Sequence, residues 1–212
     1  MESEHPDAQV RVAGGGEGDM TKVGVYRDPD AEEDTAAAIF RSFLAREAPY
    51  NTSQEVLVNT PGRYVEAFRE LMGVHDDPWD FTTFESDCDE MVIVKDIHFV
   101  SLCEHHLLPF MGHAHVGYLP DGRIAGLSKI ARTIQACSRG IWTQEHLTMK
   151  IADVIEEALQ PLGVGVVLEA EHTCMSIRGV KSNGSKTTTS AMRDAFRDTT
   201  KGARAEFLGL IR

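Results

Sequence analysis

The sequence predicts an α+β domain: a four-stranded antiparallel sheet with two helices on one face, preceded by a helical N-terminal extension. Three observations predict it. Apolar residues recur at helical spacing up to Met72. They switch to alternation at Met91. From there the order is strand, strand, helix, helix, strand, strand. Such a sheet leaves two edges open, and pairing between subunits would close them, so a ring of sheets is expected.

The elements follow in chain order. Residues 1–22 are rich in Gly, Glu, Asp and Ala and read as a disordered tail. A helical region spans 23–86. Its first helix covers 31–47, with Ala37, Ile39, Phe40, Phe43 and Leu44 on one face. A second runs from Pro61 to Met72, with Thr60 as N-cap and Pro61 at the first helical position. Residues 73–86 read as a loop. The main domain is then 87–212. Met91 to Phe99 is a strand, and His113 to Leu119 is its partner, ended by the turn signal Pro120-Asp-Gly122. A helix over 128–138 turns Ile130, Ile134 and Cys137 inward and stops at Gly140. Thr143 caps the next helix, in which Leu147, Ile151, Ile155 and Leu159 line one side. Residues 164–177 form a strand, 187–196 its hairpin partner, and 203–211 a terminal helix.

Charge is uneven. The formal net charge is −12. Residues 1–100 carry 8 Lys+Arg against 22 Asp+Glu, and 101–212 carry 13 against 11. A chain this acidic lacks the basic stripe that nucleic acid needs. No apolar run of 18 residues reads as a membrane span. The first residues lack a basic segment followed by an apolar core, so no secretory signal is expected and the cytoplasm is the expected compartment. The four cysteines, Cys88, Cys103, Cys137 and Cys174, then read as thiols or metal ligands rather than disulfides. Cys88 and Cys137 read as small apolar residues.

The chemistry concentrates in two clusters: Cys103-Glu-His-His106 and His172-Thr-Cys174. Cys103 and His106 can supply two ligands to one metal. On a strand, residues two apart share a face, so either or both of His172 and Cys174 can complete the site. Three protein ligands leave a position for water and suit catalysis; four close the site and suit structure. Spacing leaves both readings open. His105 has either a solvated or a proton-carrying role, because histidine titrates near neutral pH. His113 and His115 alternate on a strand and read as surface groups or as hydrogen-bonding support behind the site. His98 and His146 read as structural.

Several side chains suit a phosphorylated substrate. Lys129 and Arg132 share a face at the start of a helix, next to Ser128. A helix N-terminus with two cations can hold a phosphate, although a solvated helix face has the same pattern. Arg178 lies four residues beyond Cys174. Gln144-Glu145 opens another helix, and an amide with a carboxylate suits the donor-rich edge of a guanine.

These residues carry a family resemblance. Residues 88–212 resemble GTP cyclohydrolase I through DEMVIVKDIHFVSLCEHHLLPF at 89–110, GYLPDGRIAGLSKIAR at 117–132, TQEHLT at 143–148 and HTCMSIRGV at 172–180. SKTTTS at 185–190 and EFLGLIR at 206–212 add to it, and Asn59-Thr-Pro-Gly-Arg63 resembles the family more weakly. The resemblance implies the tunnelling fold, with strands of several subunits closing a barrel. It implies a homodecamer with active sites between subunits. The activity implied is zinc-dependent hydrolysis of GTP at C8, with ring opening, formate release and rearrangement to 7,8-dihydroneopterin triphosphate. Matched residue by residue, Cys103, His106 and Cys174 are the zinc ligands, and His105 and His172 the proton-transfer histidines. Gln144 and Glu145 match guanine contacts; Ser128, Lys129, Arg132 and Arg178 match triphosphate and ribose contacts. Gly140, Trp142, His146 and Cys88 depart from the family's usual residues. The competing expectations are a non-catalytic ring with a structural zinc, in which His172 is the fourth ligand, and a related enzyme acting on a 7-deazapurine.

Overall fold

A computed structural model describes residues 35–73, 81–200 and 202–212 of the chain. The expected tail over 1–22, the start of the first helix and half of the expected loop over 73–86 lie outside the described residues.

Helix α1 spans Thr35–Glu47 and α2 spans Gln54–Leu71. The second helix begins well before the expected Pro61. Ser53 is its cap, accepting a hydrogen bond from the Val56 N–H at 3.4 Å, and Pro61 lies inside the helix. A proline in a helix interior gives up one backbone bond; Thr60-Pro61 imitated a helix start without being one. The two helices pack through Phe40 on Tyr64, with ring centroids 4.4 Å apart. Of the apolar face expected on α1, only Ala37 is buried. Ile39 is 66% exposed and Phe43 55% exposed.

A short strand β1 (Thr83–Glu85) falls where a loop was expected, and it pairs antiparallel with β4 (Arg123–Ala125). Between them in sequence come β2 (Val92–Cys103) and β3 (Pro109–Leu119), antiparallel, with Val92 opposite Tyr118 and Ser101 opposite Phe110. A bulge between Val94 and Ile97 puts Asp96 at a φ of 59°. Its N–H donates to Nδ1 of the buried His115 at 3.2 Å. His115 therefore has a local role, satisfying the bulge. Burial holds its pKa below the ordinary value, against the pull of the Asp96 carboxylate, which keeps Nδ1 an acceptor.

Helix α3 (Leu127–Ser138) buries Ile130, Ile134 and Cys137. Burial pushes the Cys137 thiol up to about 11, as expected of an inert packed cysteine. A two-residue strand, β5 (Ile141–Trp142), runs parallel to the end of β2. Helix α4 (Gln144–Leu159) starts at Thr143, whose hydroxyl accepts from the His146 N–H at 3.2 Å. It ends at Gln160 in the left-handed region, just before Pro161. Strand β6 (Gly163–His172) is shorter than expected, and a helical turn α5 (Thr173–Ser176) follows it. Strand β7 (Thr187–Asp194) and helix α6 (Ala203–Leu210) complete the chain.

The sheet order is β5-β2-β3-β6-β7. The expected four antiparallel strands are there, with β5 added at one edge. Helices α3 and α4 cover one face, where Phe99, Phe110, Tyr118, Ile130, Leu147, Ile151 and Leu168 form the main core. Each such side chain contributes about 1.5–3 kcal/mol by leaving water. Helix α6 covers part of the opposite face through Phe207, which packs with Val167, Met192 and Phe196. That close approach needs Gly117 and Gly165: a Cβ on Gly117 would lie 2.7 Å from the Phe207 ring. Among the described residues, the outer edge of β7 and the edge of the Val92–Ser101 stretch of β2 that faces away from β3 have no strand beside them.

Candidate active site

The site forms where β2, β3 and β6 reach the same end of the sheet. Strand β2 delivers Cys103 into a tight turn. The Cys103 carbonyl accepts from the N–H groups of His106 at 3.3 Å and Leu107 at 2.8 Å, and the Cys103 N–H donates to the Leu108 carbonyl at 2.9 Å. Leu107 takes a φ of 53° to close it. The turn folds His106 back over Cys103, placing Nδ1 3.9 Å from Sγ.

The second cluster arrives from β6. The strand ends at His172, and Cys174 sits in the α5 turn rather than on the strand as expected. The Thr173 hydroxyl anchors that turn by donating to the Pro109 carbonyl at 2.6 Å. A helical turn separates the directions of residues two apart, so His172 and Cys174 do not share a face. Cys174 instead joins Cys103 and His106, and their three ligand atoms lie within 4.8 Å of one another. Among the described residues this is the one group of three or more such side chains close enough to share an ion. A tetrahedral ion with bonds of roughly 2.0–2.3 Å needs ligand atoms about 3.5–3.8 Å apart. The donor set therefore fits a metal with small adjustments of side chains. Burial, and then the neighbouring Cys103, hold the Cys174 thiol above its ordinary pKa. A divalent cation would reverse that cost.

His172 stands beside this group. Its ring lies flat on Phe110, with centroids 4.6 Å apart and planes within 1°. Nε2 is 2.9 Å from Oε1 of Gln144. Burial lowers its pKa, and the carboxylate of Glu145 opposes that shift, so the neutral ring is favoured near neutral pH. His105 points into solvent, with Nδ1 3.9 Å from the Cys103 sulfur and Nε2 3.6 Å from Glu104.

The expected substrate contacts divide. Glu145 is exposed in the first turn of α4. Gln144 is 2% exposed, and its amide nitrogen faces the carbonyls of Leu168 and Thr187 and the Thr189 hydroxyl at 3.2, 2.9 and 3.1 Å. Its amide hydrogens already have acceptors inside the chain. Arg178 lies in the loop after α5, close enough to lower the Cys174 pKa slightly. Ser128, Lys129 and Arg132 are elsewhere. Helix α3 begins beside β1, where the Gly126 N–H donates to the Thr82 carbonyl at 3.1 Å and the Ala125 N–H to the Tyr118 hydroxyl at 3.0 Å. Tyr118 and Phe110 are eight residues apart on β3, or about 27 Å at ~3.4 Å per residue. One chain thus holds the metal group and the start of α3 at opposite ends of its sheet. Phe110, Thr148 and Thr189, which support His172 and Gln144, carried no signal in sequence beyond ordinary core and strand patterning.

Residues 37–212 match the family model described as GTP cyclohydrolase I. The GTP cyclohydrolase 1 of Methylococcus capsulatus is 51% identical over 174 residues, covering 80% of this chain and 94% of that protein. Its counterpart in Geobacillus kaustophilus is 51% identical over 76% of this chain and 87% of that protein. The one in Thermobifida fusca is 53% identical over 73% and 77%. With the sheet and helices in the arrangement expected of a tunnelling fold and the motifs in place along it, the chain belongs to the GTP cyclohydrolase I family.

Proposed function

We propose that this chain is a GTP cyclohydrolase that opens the imidazole ring of GTP at C8, releases that carbon as formate and yields 7,8-dihydroneopterin triphosphate. The observation that carries this reading is the Cys103, His106 and Cys174 group with His172 beside it but tied to Gln144. A fourth protein ligand would close a metal site; here Nε2 of His172, the imidazole considered for that place, is engaged by Gln144.

Two sulfurs and an imidazole suit zinc. Zinc bound there supplies Lewis acidity, bringing the pKa of a water towards neutrality. The chain's own side chains do the rest. His172 takes a proton from the attacking water and passes it to N7 as C8 is attacked, and takes part again as the opened ring loses formate. His105, exposed at the same turn, exchanges protons with solvent and with the ribose during rearrangement. The Glu145 carboxylate accepts from the N1–H and amino group of the guanine. Arg178 meets the phosphate or ribose from the metal side. Ser128, Lys129 and Arg132 hold the triphosphate from the start of α3, where a helix N-terminus and two cations favour an anion.

Because α3 starts at the far end of the sheet from the metal group, those contacts come from a second copy of the chain. The unaccompanied edges of β2 and β7 support ring closure between copies. The exposed Ile39 and Phe43 on α1 support a further contact between rings, consistent with a decamer. No helix among the described residues is long and apolar enough to cross a membrane, and the proposed compartment is the cytoplasm. Incubation of purified protein with GTP tests the reading. Formate and a product that fluoresces as a pterin after oxidation are expected; neither would appear if the site were structural.

A further inference from the structure

Gln144 carries an inference that rests on the proposed activity and deepens it. Its side chain is buried and fixed by partners, two of which play one part only. The carbonyls of Leu168 and Thr187 can only accept, so the amide atom facing them is the NH2 group. Its two hydrogens serve these two strands and the Thr189 hydroxyl, which itself lies 2.6 Å from the Thr148 hydroxyl. The other amide atom, Oε1, can then only accept, and it faces Nε2 of His172 at 2.9 Å. His172 must therefore carry a hydrogen on Nε2. The network assigns the amide orientation and the tautomer together, without any visible hydrogen. Phe110 fixes the remaining freedom by lying parallel to the ring.

We infer that Gln144 is a positioning residue: it locks His172 as the Nε2–H tautomer and leaves Nδ1 as the nitrogen that addresses the reactant. It acts through His172 and does not read the guanine. The neighbouring Glu145, exposed on the next position of α4, is left to do that. A wrong tautomer offers a hydrogen where a lone pair is needed, so its cost falls on the chemical step rather than on binding.

The test uses the full-length, zinc-loaded protein. Gln144→Met keeps the length of the side chain and removes its polar atoms. The expected result is a fall in kcat of about 10²-fold or more, with KM within about threefold and zinc content unchanged. No fall in kcat, or a rise in KM as large as the fall in kcat, would overturn the assignment. A second measurement needs no Gln144 variant to fold. Solid-state NMR of the histidine-15N-labelled wild-type protein, with the His172 signals identified by their loss in His172→Asn, should show Nε2 protonated and Nδ1 bare. A hydrogen on Nδ1 would refute the tautomer lock. Should the wild-type protein release no formate from GTP, the proposed activity falls, while the NMR spectrum still decides the tautomer separately.

Discussion

The two ends of the sheet differ in completeness. At the metal end, Cys103, His106, Cys174 and His172 converge within one chain, from β2, a turn, α5 and β6. At the other end, Ser128 and Lys129 open α3, away from those groups along the sheet. Under the proposed function, the difference separates what one subunit supplies from what assembly would supply: the metal group lies within a subunit, and the phosphate anchor would come from the α3 of another.

This contrast can be broken or sharpened by substitution. The largest effect is expected from Cys174→Ser or His106→Ala, which should remove bound zinc and reduce formate release to background. Metal analysis and a formate assay on the same sample check it; activity surviving in zinc-free Cys174→Ser protein would contradict the site. Next, His172→Ala should lower kcat by about 10²–10⁴-fold while zinc stays bound. At the far end, Lys129→Ala combined with Arg132→Ala should act mainly on KM. A rise of about 10–100-fold is expected if the two exposed cations together contribute the ~1.5–3 kcal/mol of one charged hydrogen bond. Steady-state kinetics with GTP separates this pattern from the kcat loss at the metal end.

The smallest effect concerns pH. His115 is buried as an acceptor for the Asp96 N–H, and burial lowers its folded pKa. The unfolded chain then binds the proton first, so His115 contributes stability that is complete above about pH 6.5 and declines as pH falls towards the lower folded value. His172 shares this sign. Urea midpoints should be lower at pH 5.5 than at pH 7.5, and His115→Gln should reduce that difference.

Much of this was legible in the sequence because it depends on local pattern. Alternation placed β2, β3 and β7, and the Thr143 cap and apolar stripe placed α4. The three metal ligands were among the alternatives that residue type and spacing allowed, and the family resemblance selected them. What was not legible depends on distant partners. Cys174 was expected on a strand; the bond from Thr173 to Pro109, residues far apart in sequence, bends it into a helical turn. Nothing local to Gln144 reveals that Leu168, Thr187, Thr189 and His172 surround it. Strands β1 and β5 are three and two residues long, too short for any period to show. Ile39 and Phe43 fit an inward helical stripe, but both stay more than half exposed. Helix period reports that a face is apolar and not which molecule buries it.

The claim that each site draws on two copies is tested most directly by mixing subunits. One parent, inactive, carries Cys174→Ser, and the other, weak at low GTP, carries Lys129→Ala with Arg132→Ala; the two are co-expressed and co-purified as mixed assemblies. If metal end and α3 come from different copies, random assembly restores an intact site at about one quarter of positions, and GTP turnover at low substrate rises well above either parent. Turnover no higher than the average of the two parents would show that one chain supplies both, and the account would be wrong.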